Sequence, residues 1–249
     1  MQCFRESKNV TEGTKTGFKT IAVNTSKFDP VLSEVIYKWF CVKNSCILDP
    51  FAGGVTRGGV AVTLGHTYHG FDVNQNQIVD NVDKLSAIGL IPNYYCDTSE
   101  NVSKYFNINT FDLLFSCPPY FNLERYTDNP NDISTINDYS DFKTIYFKII
   151  NECCKLLKPN RFAVFVVGDV RDKTGKYCNF VGDTISTFIE SGLHLYNSVV
   201  LLEQCGTKAM TCERPFLSNR KLAKVHQNVL IFYKGDMKKI KQIFKGTFK

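Results

Sequence analysis

The 249-residue sequence predicts an α/β domain built on a mostly parallel, doubly wound sheet. Two features predict it. Short apolar runs that read as buried strands alternate with segments of helical period. A glycine-containing turn directly follows the first of these strands, which is how such a sheet builds a ligand site at a strand's C-terminal edge. The length suits one substantial core.

Residues 1–26 are polar and mixed, and read as an irregular arm with one extended piece at Thr20-Ile-Ala-Val23. Asp29 can cap and Pro30 can open a helix over residues 30–40, with Val31, Leu32, Val35, Ile36 and Trp39 at helical spacing. Cys46-Ile-Leu-Asp49 is a strand, followed by the turn Pro50-Phe-Ala-Gly-Gly54 and a helix from Thr56 to Leu64. The turn is not a P-loop, because no Gly-Lys-Ser/Thr follows, and it lacks G-x-G-x-x-G spacing. A second strand, Tyr68–Val73, contains Asp72 at its end, 23 residues after Asp49. That is where such folds bind ribose hydroxyls. A helix over Asn74–Ile88 turns Ile78, Val82 and Leu85 inward and stops at Gly89; Asn93–Asp97 is a third strand, again ending in an acid.

The fourth strand, Phe111–Phe115, closes at Ser116-Cys117-Pro118-Pro119-Tyr120. Two prolines cannot donate to a sheet ladder, so the strand stops there and exposes its end. A hydroxyl, a stiff diproline corner and an aromatic ring on one tip suit gripping a flat polar ring. Beyond a polar loop at Asp128–Asp132, the pattern predicts a helix from Tyr139 to Lys158, ended by Pro159-Asn160. A strand at Arg161–Val167, a helix over residues 180–191, and strands at His194–Glu203 and Val229–Tyr233 complete the series. Residues 204–225 read as basic and irregular, with Lys208, Arg214, Arg220, Lys221 and Lys224. With no internal repeat or low-complexity linker, residues 1–249 are read as one domain with a basic tail at 235–249.

A hydrophobic share of 43% and a charged share of 22% are ordinary for a soluble globular protein. No apolar run approaches ~20 residues and the first residues lack the apolar core of a signal peptide, so a cytoplasmic protein without a membrane partner is expected. Ten scattered cysteines without a C-x-x-C pair argue against a disulfide framework and a zinc site, and most are expected to be buried. His66 and His69 have no accompanying ligand pair, so no metal is expected. The formal charge is +6, and residues 234–249 hold six lysines and one acid. Such a tail is either a solvated terminus or an arm touching nucleic-acid phosphates, and composition does not choose.

The glycine turn of Asp49-Pro-Phe-Ala-Gly53, the acids Asp72 and Asp97, and Ser-Cys-Pro-Pro-Tyr, at successive strand ends, form a combination of known type. It resembles the S-adenosylmethionine-dependent amino-methyltransferases of DNA, which modify adenine N6 or cytosine N4, and especially the small methylases of phages and mobile elements. The similarity runs from about residue 28 to 235 and includes the closing Lys224–Lys234 stretch. It implies a Rossmann-like class I methyltransferase fold: a seven-stranded sheet, helices on both faces and an antiparallel last strand. It also implies the cofactor S-adenosylmethionine. By this resemblance Asp49, Pro50, Phe51, Ala52 and Gly53 would hold the methionine part, Asp72 the ribose and Asp97 the adenine. Phe28, Val73, Thr98 and Ser116 would stand beside them. This chain departs from the family in two places. Aligned on the prolines, Cys117 takes the motif's polar position; aligned from Ser116, there is one extra residue. The second glycine of the turn, Gly54, comes one place early.

The implied chemistry is positioning plus electrostatics. The carbonyl of Pro118 and a polar group of Ser116 would hold the two amino protons, turning the lone pair toward the methyl donor, while Tyr120 stacks on a base flipped from the duplex. Cys117 is not expected to attack a pyrimidine, because that chemistry in its familiar form uses a Pro-Cys order. Adenine N6 is preferred to cytosine N4. Arg125, Lys208, Arg214, Arg220 and Lys221 are the candidate contacts to double-stranded DNA. The loops are short for base reading, which leaves room for a second subunit or helper domain, in a bacterial or phage-infected cell. The rival readings are an RNA or protein amide or amine methyltransferase, and a non-catalytic nucleic-acid-binding subunit.

Overall fold

Seven strands form one sheet in the order β3-β2-β1-β4-β5-β7-β6 in the computed structural model, which describes residues 28–121, 123–203, 206 and 208–246. The N-terminal arm with its extended piece lies outside the described residues. The strands are β1 (Cys46–Asp49), β2 (Thr67–Asp72), β3 (Asn93–Cys96), β4 (Phe111–Ser116), β5 (Leu157–Val167), β6 (His194–Leu202) and β7 (His226–Lys234). β1 to β5 pair in parallel, and β7 runs antiparallel between β5 and β6. The expected seven-stranded, mostly parallel sheet with an antiparallel last strand is thus observed. β1 and β4 are neighbours, so strand order reverses between them, and the crevice at such a switch point is where doubly wound sheets bind ligands.

Alternate residues of each strand face opposite sides of the sheet. Ile47, Leu113, Phe115, Val164 and Val166 pack under α1 (Pro30–Phe40) and α2 (Thr56–Thr63). Leu48, Leu114, Phe165 and Val167 pack under α5 (Tyr139–Leu156) and α6 (Phe180–Glu190) on the other face. Asp29 starts α1 by accepting from the Val31 and Leu32 amides, with Pro30 at the first helical position, and Asp138 caps α5 in the same way. Between β2 and β4 stand α3 (Gln75–Ser86) and the short α4 (Val102–Tyr105).

Several expectations are corrected. Residues 204–225 are not irregular throughout: α7 (Lys208–Thr211) and α8 (Glu213–Asn219) form within them. The long helix ends at Leu156, and Pro159-Asn160 belongs to β5. They are tolerated there because the β4–β5 register jumps from Phe111↔Leu157 to Leu113↔Phe162, a bulge in which no ladder donor is asked of the proline. The C-terminal tail folds back as a 3-10 turn at Met237–Lys239 and α9 (Ile240–Ile243), with Ile240 and Phe244 packed on the core. Lys234 caps the C-terminal end of α5 by donating to the carbonyls of Cys154 and Leu157, so it is not part of a basic arm. Only Cys41, Cys153 and Cys154 are buried among the described cysteines, fewer than expected. Trp39 and Val82 do not face inward; Tyr37 and Asn81 take the buried places. No described helix is long and apolar enough to cross a membrane.

Candidate active site

The switch point is organised by an ion pair that sequence reading missed. Asp49, at the tip of β1, is fully buried and takes a donor at every acceptor position. Its Oδ1 accepts from the Phe51 amide (3.1 Å) and the Ser116 hydroxyl (2.6 Å), and its Oδ2 from Arg57 Nε (2.6 Å) and the Tyr68 hydroxyl (2.7 Å). A carboxylate has about four lone-pair sites, so none remains for a ligand. All four donors come from the protein, so in this structure Asp49 shapes the turn. Arg57, only 4% exposed, holds the turn from inside by donating to the carbonyls of Phe51 (2.6 Å) and Ala52 (3.0 Å). Phe28 lies under its guanidinium at 4.6 Å and edge-on to Phe115, so Phe28 supports the cation. Burial alone would pull the guanidinium's proton affinity down, and Asp49 beside it more than reverses that.

Gly53 closes the turn at φ +53°, a conformation that costs an L side chain about 1–2 kcal/mol. Its amide donates to Asp72 Oδ2 (3.0 Å) and its carbonyl accepts from Asn81 Nδ2 (2.6 Å). This explains why α3 buries Asn81 rather than Val82. The Ala52 backbone N–H donates to the Phe71 carbonyl (2.8 Å), and Pro50's carbonyl accepts from the buried Ser99 hydroxyl beyond β3. A Cβ built on Gly53 or Gly54 would meet nothing within 4 Å, so the outer side of the turn opens onto free space.

Asp72 accepts one donor on each oxygen, the Gly53 amide and the Asn74 amide (2.8 Å), leaving an acceptor site on both. Burial pushes its carboxyl up to about 6. Asp97 accepts from the Thr98 amide, Asn101 and Tyr105, an arrangement that starts the turn where Thr98 is the N-cap. Val73's carbonyl is taken by Asn129 Nδ2 (3.0 Å), from the segment after the diproline tip. That segment is folded on itself: Thr127 donates to Asp132, and Tyr126's amide donates to the buried Ser134 hydroxyl. It straps the tip of β4 to the tip of β2.

At the tip of β4, Ser116 is fully buried and its hydroxyl is spent on Asp49. Its oxygen keeps its acceptor lone pairs but lies wholly inside the protein, while Cys117, the next residue, is partly exposed. Burial pushes the Cys117 thiol up, so it stays protonated near neutrality; its sulfur lies 3.6 Å from the Tyr120 hydroxyl. Tyr120 is braced: its hydroxyl lies 2.9 Å from Gln227 Oε1 and 3.3 Å from the Val166 carbonyl. Its ring packs near Phe180 and against Gly168, where a Cβ would come within 3.2 Å of it. Pro118 is buried and Pro119 half-buried beside it.

The candidate phosphate contacts are divided. Arg125 stands on the strap, exposed, and pairs with Asp128 (2.9 Å). Arg214 and Arg220 are exposed on or next to α8, Lys221 is half-buried just beyond it, and Lys208 opens α7. Arg220 also caps α8 through its own side chain.

No protein-family model matches the chain, and no curated protein matches its sequence. Solved structures do match in shape. TrmN from Thermus thermophilus superposes with a TM-score of 0.54 at 14% identity, over 83% of this chain and 49% of that one. A putative rRNA-methylase from Clostridium thermocellum gives 0.52 at 15%, over 84% of this chain and 98% of its own. SMU.1697c, a putative methyltransferase from Streptococcus mutans in complex with SAH, gives 0.50 at 14%, over 84% and 99%. This is a Rossmann-like methyltransferase fold. The chain spans about half the length of the TrmN protein but nearly all of the other two. At such identities the likeness is one of fold, and activity must be argued from the site.

Proposed function

We propose that this chain is an S-adenosylmethionine-dependent methyltransferase acting on an exocyclic amino group of a nucleic-acid base, with adenine N6 in DNA as the first substrate to test. One observation carries the reading. The Ser116–Asp49 hydrogen bond ties the diproline tip to the glycine turn across adjacent strands, so a group bound on the turn and a ring bound at the tip would meet.

The residues present fit the cofactor. The turn opens outward at Gly53 and Gly54, and Asp72 keeps one acceptor site on each oxygen for a ribose diol. Pro50 to Gly53 would hold the methionine side, and Val73, Asp97 and Thr98 would stand at the adenine. Asp49, Phe28 and Ser116 would act from behind, by holding Arg57 and the turn. When bound, the cofactor supplies an electrophilic sulfonium methyl.

The chain's own contribution is orientation. The amino nitrogen of adenine or cytosine is a poor nucleophile because its lone pair is delocalised into the ring. The Pro118 carbonyl would accept one amino proton, with Cys117 in place of the usual stronger acceptor, and Tyr120 would stack on the base. Cys117 precedes Pro118, whereas attack on a pyrimidine in its familiar form uses a Pro-Cys order, which supports amino over carbon methylation.

RNA is the second reading. It is supported by the fold likeness to a protein described as a putative rRNA-methylase and by a formal net charge of +6, which suits either nucleic acid. Duplex DNA and structured RNA incubated with the protein and S-adenosylmethionine, digested and examined by nucleoside mass spectrometry, test both. N6-methyladenosine or its deoxy form is expected. The proposal fails if no methylated nucleoside forms although calorimetry detects cofactor binding; absence of cofactor binding would leave a nucleic-acid-binding module.

A further inference from the structure

Between β5 and α6 the chain makes a small hairpin, residues 170–178, that the site described above does not use. Its limbs are joined by the Cys178 amide to the Val170 carbonyl (3.0 Å) and by an antiparallel bridge of Arg171 with Tyr177. Its turn is closed by Asp172, whose carboxylate accepts from the Thr174 amide and hydroxyl and the Lys176 amide. That acid is consumed locally. Asp169, just before the hairpin, is paired with Lys224. Against the one charge of Asp172 the hairpin carries three cations, Arg171, Lys173 and Lys176, so its net charge is positive. Lys221, from the segment after α8, reaches the turn, its Nζ 3.4 Å from where a Cβ on Gly175 would sit, so the two basic segments form one rim.

On this hairpin the Arg171 guanidinium carbon sits over the Tyr177 ring, 3.7 Å from its centroid, while Tyr177 remains 51% exposed. The guanidinium is fixed by donating to the Gly175 carbonyl (2.6 Å), so the stack is formed in advance. Pre-formed Arg and aromatic planes are what unpaired bases stack on, and cations beside them suit phosphates. Both limbs leave from beside Tyr120: Gly168 lies against its ring, and Phe180, two residues past the hairpin, is 6.0 Å from it.

We propose that the hairpin is a nucleic-acid-binding element, in which the Arg171–Tyr177 stack receives an unpaired base next to the one held at Tyr120, and Lys173 and Lys176 contact phosphates. This rests on the nucleic-acid reading of the site. The test is fluorescence anisotropy with a labelled DNA duplex, its single strand and an RNA of the same sequence, across a salt series, with cofactor affinity measured by calorimetry. Tyr177→Ala is expected to weaken binding roughly 5- to 150-fold, the usual worth of one stacked base. Tyr177→Phe keeps wild-type affinity, because stacking needs no hydroxyl. Lys173→Gln with Lys176→Gln lowers the salt slope by about 1.4–1.8, and cofactor affinity is unchanged in every variant. Tyr177→Ala binding like wild type overturns the hairpin's role. A wild-type protein that binds cofactor but none of the probes overturns the underlying reading instead.

Discussion

At the scale of single residues, the site depends on buried charge. Arg57 and Asp49 are both nearly inaccessible and meet at 2.6 Å, so removing one leaves the other unpaired in a medium that punishes it. Arg57→Met is expected to cost about 3–5 kcal/mol in urea unfolding, with the slope unchanged, and replacing Asp49 by Leu in the same chain should recover part of the loss. Asp72 makes a different prediction. Its folded carboxyl titrates at about 6, above its unfolded value, so its contribution to stability is present at low pH and is lost as pH rises through about 6. A ribose diol donating to it favours the charged form, so cofactor affinity should change in the opposite sense. Calorimetry should find it weakening up to about tenfold per pH unit below about 6, and Asp72→Asn should flatten the profile. An affinity constant from pH 5 to 7.5 in the native protein would remove Asp72 from the cofactor site.

At the scale of elements, the end of β4 and the end of β5 are fitted to each other through Tyr120 and Gly168. Gly168→Ala would put a Cβ 3.2 Å from the ring, which must then shift by a few tenths of an ångström against the Gln227 and Val166 oxygens that brace it. The expected result is a turnover lowered about ten- to a hundredfold with cofactor affinity retained, the split that displacement of a positioned ring produces. Equal losses in both would mean that the strand tip as a whole had moved. Cys117→Ala, in contrast, should leave methyl transfer largely intact, since the neighbouring thiol is held protonated and supplies only a weak acceptor.

At the scale of the molecule, the strands proposed to hold the cofactor and the basic segments occupy different parts of one sheet edge. The turn, Asp72 and Asp97 lie at β1 to β3; the hairpin and the α7–α8 excursion rise beyond β5 and between β6 and β7. A polyanion approaching the second region would be held by exposed cations whose attraction salt screens. Affinity for a short duplex should fall with a slope of log affinity on log salt between about −3 and −5, measured by anisotropy. Salt-insensitive binding would mean that this rim does not face the substrate.

Strand and helix identities were legible in the sequence because apolar period and punctuation act locally: Asp29-Pro30 starts α1, the diproline ends β4, and the glycine turn follows β1. Their alternation along the chain also pointed to a mostly parallel, doubly wound sheet, but the strand order and the place where it reverses come only from the structure. Side-chain partnership was not legible. Ser116 and Asp49 are 67 residues apart, and only the pairing of β1 with β4 decides that the serine is buried with its proton donated to the aspartate. Arg57 read as an ordinary helix residue, and Asn81 was passed over for Val82, because a hydrogen bond between distant segments leaves no periodic trace. The sequence by itself determined which strand ends would carry acids, glycines and prolines. The tertiary structure decided which of them face a ligand and which hold the others in place, because burial and donor count are properties of the packed chain.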